Sequence, residues 1–408
     1  MEEWKEYKAI EFCKTVTDGT HDSPKPKDKG HYLITSKHLK DTGIDFKSAN
    51  YISEEDYLKV IERSKVEQYD ILFSMIGTIG NIVQVKVEDV DFAVKNMGIF
   101  KMGKNRLRSS WLLYWLKSPY AHKFVSQRLA GSTQAYLTLN SLREFPVFYP
   151  GDRKAKEIVA ILKSLDDKIE INRRINDNLE QQAQALFKSW KKCIDKGNNR
   201  IIKLESIADF IGGYSYKGSE LRDSVTAMVT IKNFDRNGGF KLDGFKEIVP
   251  SERIKPEHYA YKFDILVAHT DLTQNAEIVG NSEMILFTAD YKDIIFSMDL
   301  VKVVPHTDFP YKFFIASLLR DSDFKSHCMG YINGTTVLHM SKKALPDFVI
   351  KVPIMDNSIR ELDSMLSIIY GKMSTLLNEN TKLAELRDSL LPRLMSGELK
   401  VNDVETII

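Results

Sequence analysis

The chain says nearly the same thing twice. AGSTQAYLTLNSLREFPVFYP (Ala130 to Pro150) and NGTTVLHMSKKALPDFVIKVP (Asn333 to Pro353) are each a small polar knot followed by an apolar run that closes on proline; Gly131 answers to Gly334 and Pro150 to Pro353, both 203 residues on, without a gap. Self-similarity at so long a period is the strongest constraint a sequence can place on its fold. Working outward, YDILFS (Tyr69 to Ser74) matches FDILVA (Phe263 to Ala268) at a separation of 194, and each reads as a buried strand after an acidic turn. Between these landmarks each half carries an aromatic-rich helical stretch, SSWLLYWLKSPYAHKFV and YKFFIASLLRDSDFKSH. Strands, then a helix, then a glycine knot make an α+β chain of two mixed α/β heads with short strands.

The stretch after each proline is more regular. Ile158, Ile161, Leu165, Lys168, Asn172, Ile175, Leu179, Gln182 and Leu186 step alternately by three and four, and Leu362, Met365, Ile369, Lys372, Leu376, Glu379, Leu383, Leu386 and Leu390 repeat the pattern 204 residues on. These are expected to be two matched coiled-coil helices, whose polar seam members weaken pairing while fixing register. Chain order makes them antiparallel. The first helix leads out of the first head, only the short polar stretch CIDKGNNR separates it from the second, and the second helix must return. About 30 heptad residues at a rise of 1.5 Å make a rod of roughly 45 Å, so a dumbbell with an approximate twofold axis is expected. That span suits two readers on one face of a DNA duplex, whose turn is about 34–36 Å. The expected boundaries are a first head over 1–150, a helix over 151–195, a second head over 196–353, a helix over 354–398 and a tail over 399–408.

Composition narrows the class by exclusion. The 58 basic and 56 acidic side chains leave a charge of only +2, so polyanion binding must come from local patches. Cys13, Cys193 and Cys328 form no C-x-x-C pair, which argues against a disulfide framework or a zinc site, and no apolar run approaches the roughly 18 residues that span a bilayer. A cytoplasmic protein without membrane, metal or cofactor is expected.

LDDKIEINRRINDNLEQQAQALFKSW after the first head, LRDSLLPRLMSGEL near the end, DGTHDSP, DILFSMIGTIGN and the paired knots together resemble the specificity subunits of type I restriction-modification systems. The resemblance runs over nearly the whole chain. It implies two variable target-recognition domains alternating with two conserved helical regions, each domain reading one part of a split double-stranded DNA sequence. It also implies that the helices set the gap and dock two DNA methyltransferase subunits, through which helicase-nuclease restriction subunits join. Catalysis would then belong to the partners. FDILVAHTDLTQNAEIVG lacks the glycines of SMIGTIGN, so the second head matches less securely in its loops.

The candidate DNA contacts are drawn from residue chemistry. Ser132 and Thr133, then Thr335 and Thr336, place hydroxyls beside a flexible backbone, with Gln134, Tyr136 and His339 adjacent for base edges. G-S-T is also an ordinary turn composition, and its repetition is what favours contact. THDSPKPKDKGH sets Thr20, His21, Lys25, Lys27 and Lys29 in a proline-stiffened loop, Thr78 lies in SMIGTIGN, and KMGKNRLR is the densest basic cluster with Lys101, Lys104, Arg106 and Arg108. In the second head GGYSYKGS offers Tyr214, Tyr216 and Lys217, and AHTDLTQN offers His269, Thr270, Gln274 and Asn275. Trp111, Tyr114 and Trp115 stand at helical spacing and read as core.

Catalytic motifs fail on inspection. GIFKMGKN spells G-x-x-x-x-G-K, but Asn105 stands where a P-loop needs a hydroxyl, and GTIG lacks the spacing of a dinucleotide site. No Asn/Asp-Pro-Pro-aromatic tetrapeptide of an amino-methyltransferase is present, and Pro346-Asp347 has no Glu-x-Lys downstream to make a nuclease. The expected function is a non-catalytic DNA-sequence reader. The alternatives are a recognition subunit of another phage-defence assembly, or a coiled-coil scaffold joining two protein-binding heads.

Overall fold

A computed structural model describes residues 4–40, 42–131, 135–194, 198–236, 238–271, 275–334, 337–355 and 357–404. The chain divides into two compact units, Met1–Glu170 with Leu383–Ile408, and Ile171–Lys382. These bounds cut across the two expected helical segments: each unit takes one half of both long helices, because each head packs against the helical stretch that leaves it and the one that meets it.

The first unit is built on a four-stranded antiparallel sheet in the order Thr15–Asp18, Met97–Lys101, Ile71–Ser74 and Ile82–Gln84. The five residues of Met97–Lys101 are all buried, as a central strand covered on both faces must be. A three-stranded sheet lies beside it, with His31–Ile34 between Asn50–Ile52 and Phe92–Val94 and parallel to the latter. Lys5–Lys8 pairs antiparallel with Pro146–Tyr149. Trp111, Phe73, Phe100 and Phe145 fill the core together with Ile158, Leu162 and Leu165 of one long helix and Leu390, Leu391 and Leu394 of the other. Trp111 and Trp115 donate their indole N–H groups to Phe148 O (2.9 Å) and Pro146 O (2.7 Å), so the aromatic stretch is core.

The second unit repeats these three sheets. Its four-stranded sheet runs Ala208–Gly212, Leu300–Pro305, Ile265–Ala268 and Ser282–Met284, its three-stranded sheet runs Lys246–Glu247, Thr226–Val229 and Asp293–Phe296, and Asn199–Lys203 pairs with Val349–Pro353. Even the backbone oddities recur. Tyr69 (φ 67°) and Phe263 (φ 70°) both enter the left-handed region, which bulky side chains rarely occupy, and both donate N–H bonds of 2.7 Å, to Val85 O and Ile285 O.

The long helices are Asp152–Ile194, 43 residues, and Asn357–Met395, 39 residues. Within the second unit they run antiparallel: Asn172 Nδ2 donates to Glu379 Oε2 and Asn380 Oδ1 (both 2.9 Å), whereas Trp190 Nε1 reaches back to Ser358 Oγ (3.2 Å). In the first unit Arg387 Nη1 meets Asp166 Oδ1 at 2.8 Å. The buried stripe departs from the expected seam at several positions. Ile175 is 38% and Met365 52% exposed, and Lys168, Gln182 and Lys372 face solvent, while Leu162, Ile169, Ala183, Leu366 and Met373, one residue further along, are buried. The reason is that each helix covers its own unit's core as well as its partner, so the stripe is broader than a two-stranded seam and its phase is set by the head.

Candidate nucleic-acid interface

In each unit the sheet register gathers some candidate residues at one end of the central strand and sends others to the opposite end. In the first unit Ser74 pairs with Met97 and Asp18 with Gly98, so the segments after Ser74 and Asp18 emerge together with Asn96, which precedes Met97. Ile76 bridges to Tyr136, Tyr136 exchanges both backbone hydrogen bonds with Ala130 (2.9 Å each), and Leu137 N donates to Met75 O at 2.9 Å. Thr20, His21, Thr78 and Tyr136 therefore share one loop cluster. His21, Thr78 and Tyr136 are exposed, Thr20 is half-buried, and Lys25 and Lys27 are exposed on the loop that continues from them.

The second unit builds the same pinned knot. Thr270 pairs with His339, His339 with Asn333, and Met340 N donates to His269 O at 2.9 Å. Ile76, Ala130 and Tyr136 thus have counterparts in Thr270, Asn333 and His339. Tyr136 and His339 occupy equivalent, exposed places. Gly80-Asn81 and Gly280-Asn281 are a further matched pair, six extra residues preceding the second, so the second loop keeps the last glycine of SMIGTIGN rather than lacking both. Both glycines have positive φ (92° and 77°), and both asparagine carbonyls accept 2.9 Å bonds, from Ser74 N and Ala268 N. Ser132, Thr133, Gln134, Gln274, Thr335 and Thr336 lie outside the described residues.

Several candidates are differently employed. Lys101 is buried, with its ammonium 2.7 Å from Asp70 Oδ2, 2.8 Å from Glu67 Oε2 and 2.6 Å from Lys65 O. Burial pushes the Asp70 carboxyl above the ordinary carboxylate value against the pull of that ammonium. Arg108 lies over the rings of Phe12 (5.2 Å) and Tyr149 (5.7 Å). Lys104 and Arg106 are exposed, but they come after Lys101 and so leave the strand at its other end, roughly 13 Å from Met97 by strand rise. KMGKNRLR is therefore separated from the loop cluster.

In the second unit Tyr214 is 1% exposed, its hydroxyl bonded to Glu220 Oε1 (2.7 Å) and Ser251 Oγ (2.9 Å). Thr270 is buried and donates to Asp299 Oδ1 at 2.9 Å. Tyr216 and His269 are half-buried, while Lys217, Asn275 and His339 are exposed. Glu220 is held to about pH 2 by the backbone N–H of Lys217, with the Tyr214 hydroxyl and Ser251 adding to the effect. This anchor fixes the first loop of the second unit, as a different set fixes that of the first. There Asp18 binds Arg63, and His21 bridges Asp18 Oδ2 and Asn96 Oδ1 at 2.9 Å each. Arg63, Asp18 and Asn96 carry no motif and were missed. The one signal was Asp18 in DGTHDSP.

Among the described residues no group of three or more His, Cys, Asp and Glu side chains is placed to hold a metal ion, and no helix is long and apolar enough to cross a membrane.

The chain is similar to known proteins in sequence and in fold. Residues 1–181 match the family described as the type I restriction modification DNA specificity domain. The chain is 22% identical over 321 residues to the type I restriction enzyme MjaIX specificity subunit of Methanocaldococcus jannaschii, covering 74% of this chain and 71% of that one. It is 24% identical over 347 residues to the HindI specificity subunit of Haemophilus influenzae, covering 68% and 74%. The fold is similar to the crystal structure of a type I restriction-modification system S subunit from M. genitalium, with a TM-score of 0.53, 14% identity and 96% of each chain covered. Residues 1–181 thus match a DNA specificity domain, and the fold is similar to that of an S subunit. The chain is similar, over most of its length, to type I restriction-modification specificity subunits.

Proposed function

We propose that this protein reads a split DNA sequence, each unit reading one half with the loop cluster at one end of its four-stranded sheet. The observation that carries this reading is the repeated pinned knot, which puts Tyr136 and His339 at equivalent exposed positions among polar loops. Such loops suit groove contact, with exposed lysines such as Lys25, Lys27 and Lys217 on phosphates and aromatic or imidazole tips on base edges. Because the two loop sets differ in sequence, the two half-sites differ. The two long helices set the gap between half-sites and dock two DNA methyltransferase subunits, through which restriction subunits are recruited; the assembly works in the cytoplasm.

The test is selection from a random duplex pool by the full chain with its methyltransferase. One split sequence is expected; a protein-binding scaffold selects none. Inserting one heptad in each long helix adds about 10 Å and is expected to widen the preferred gap with both half-sites unchanged. A changed half-site at constant gap would refute the assignment of spacing to the helices.

A further inference from the structure

We propose that Arg63 contacts a DNA phosphate of the first half-site, its guanidinium held ready by Asp18. This rests on the DNA-reading assignment above and adds a contact that the sequence does not mark. Arg63 sits in the last turn of the helix Glu54–Ser64, and its side chain is 63% exposed although one Nη is bound to Asp18. Among the described residues Asp18 is its only polar partner. The remaining N–H donors of the fork are therefore available, and a planar guanidinium suits phosphate oxygens.

The tether is stronger than a solvated surface pair. Asp18 has only 8% of its side chain exposed, and a carboxylate removed from water to that degree needs its charge partners. Its second oxygen meets His21 Nε2 at 2.9 Å, and His21 Nδ1 meets Asn96 Oδ1 at 2.9 Å. Asn96 takes φ 53° at the turn into the buried central strand, so the arginine is tied through the side chains of Asp18, His21 and Asn96 to that turn. Gly19 tightens the attachment, since a Cβ there would lie 2.3 Å from Val94 O. An arginine fixed in advance loses less conformational freedom when it binds.

The cluster is not a demand of the fold. In the second unit the residue paired with the central strand where Asp18 pairs is Gly212, and the loop is anchored by Tyr214 and Glu220 instead. Lys25 and Lys27 stand exposed on the loop that continues from Asp18 and His21, a loop that also carries Asp22 and Asp28.

The experiment measures the affinity of the full chain, with its methyltransferase, for its selected duplex at a series of salt concentrations. Each phosphate contact contributes about 0.9 to the slope of log affinity against log salt. Arg63→Gln is expected to lower that slope by about 0.9 and to weaken binding roughly tenfold, with the preferred bases unchanged. Arg63→Lys keeps the charge and loses the fork: the slope is retained and affinity falls severalfold. Lys104→Gln with Arg106→Gln, at the other end of the strand, leaves the slope unchanged. An unchanged slope in Arg63→Gln, an altered base preference at the first half-site, or wild-type affinity in Arg63→Lys overturns the proposal. If the wild-type protein selects no duplex, the DNA-reading assignment itself fails, which is a separable result.

Discussion

The two units share a backbone and differ in what they bury. At the place where the first unit has Val83, packed in an apolar cluster, the register of the edge strand puts Glu283 in the second. Arg320 answers it at 3.0 Å and also binds Glu180 of the long helix at 2.9 Å. Burial pushes the Glu283 carboxyl up, against the opposing effects of Arg320 and the N–H of Gly239. The first loops diverge in the same way, with Arg63, Asp18 and His21 in one unit and Tyr214, Glu220 and Ser251 in the other. One arrangement of strands thus accepts different loop anchors and different edge chemistry.

This contrast can be tested where it is sharpest. Arg320→Ala strands the buried Glu283 carboxylate and leaves the half-buried Glu180 without this partner, and is expected to destabilise the second unit by about 3–5 kcal/mol. Arg387→Ala, which removes the more exposed partner of Asp166 in the first unit, is expected to cost roughly 1 kcal/mol. Urea unfolding of both variants decides; equal losses would mean that the triad is no more than a surface pair. Where the units agree, the effects should agree too. Gly19→Ala and Gly213→Ala bring a Cβ to 2.3 Å from Val94 O and 2.0 Å from Ser297 O, and each is expected to lose about 1–3 kcal/mol. Thermal melts showing a loss in one only would break the equivalence.

The smallest effect is one of pH. Glu220 has its folded pKa depressed from 4.5 to about 2, so its contribution is present above pH 4.5 and is lost as pH falls towards 2. Hydrogen exchange of the Lys217 and Ser251 amides should accelerate over that range relative to the trend at higher pH. In Glu220→Gln, whose side chain does not titrate, that added acceleration should vanish; its persistence would assign the effect to another group.

Much of the fold was legible, for identifiable reasons. Three-four periodicity over some 30 residues showed the two long helices, and gapless spacing across the knots showed the internal repeat. The phase of the buried stripe was not legible. Ile161 against Leu162, or Met365 against Leu366, is decided by the head that each helix half covers, and hydrophobicity alone cannot choose between adjacent apolar residues. The placement of KMGKNRLR was not legible, because charge density says nothing of direction: the pleat turns Lys101 inward to Asp70, and the run leaves the strand away from the loops. Tyr214 looked like an exposed loop aromatic, and its burial depends on Glu220 and Ser251, the latter 37 residues away.

By itself the sequence determined that one unit is written twice, that long helices come after each copy, and that the loops of the copies differ, since local pattern and spacing survive without knowledge of contacts. Only the tertiary structure decided which polar residues share an end of the sheet, which are consumed by buried partners, and that Arg63 and Asp18 meet across 45 residues. Ion pairs and strand register join residues remote in the chain, and no local pattern records which partner a side chain will find.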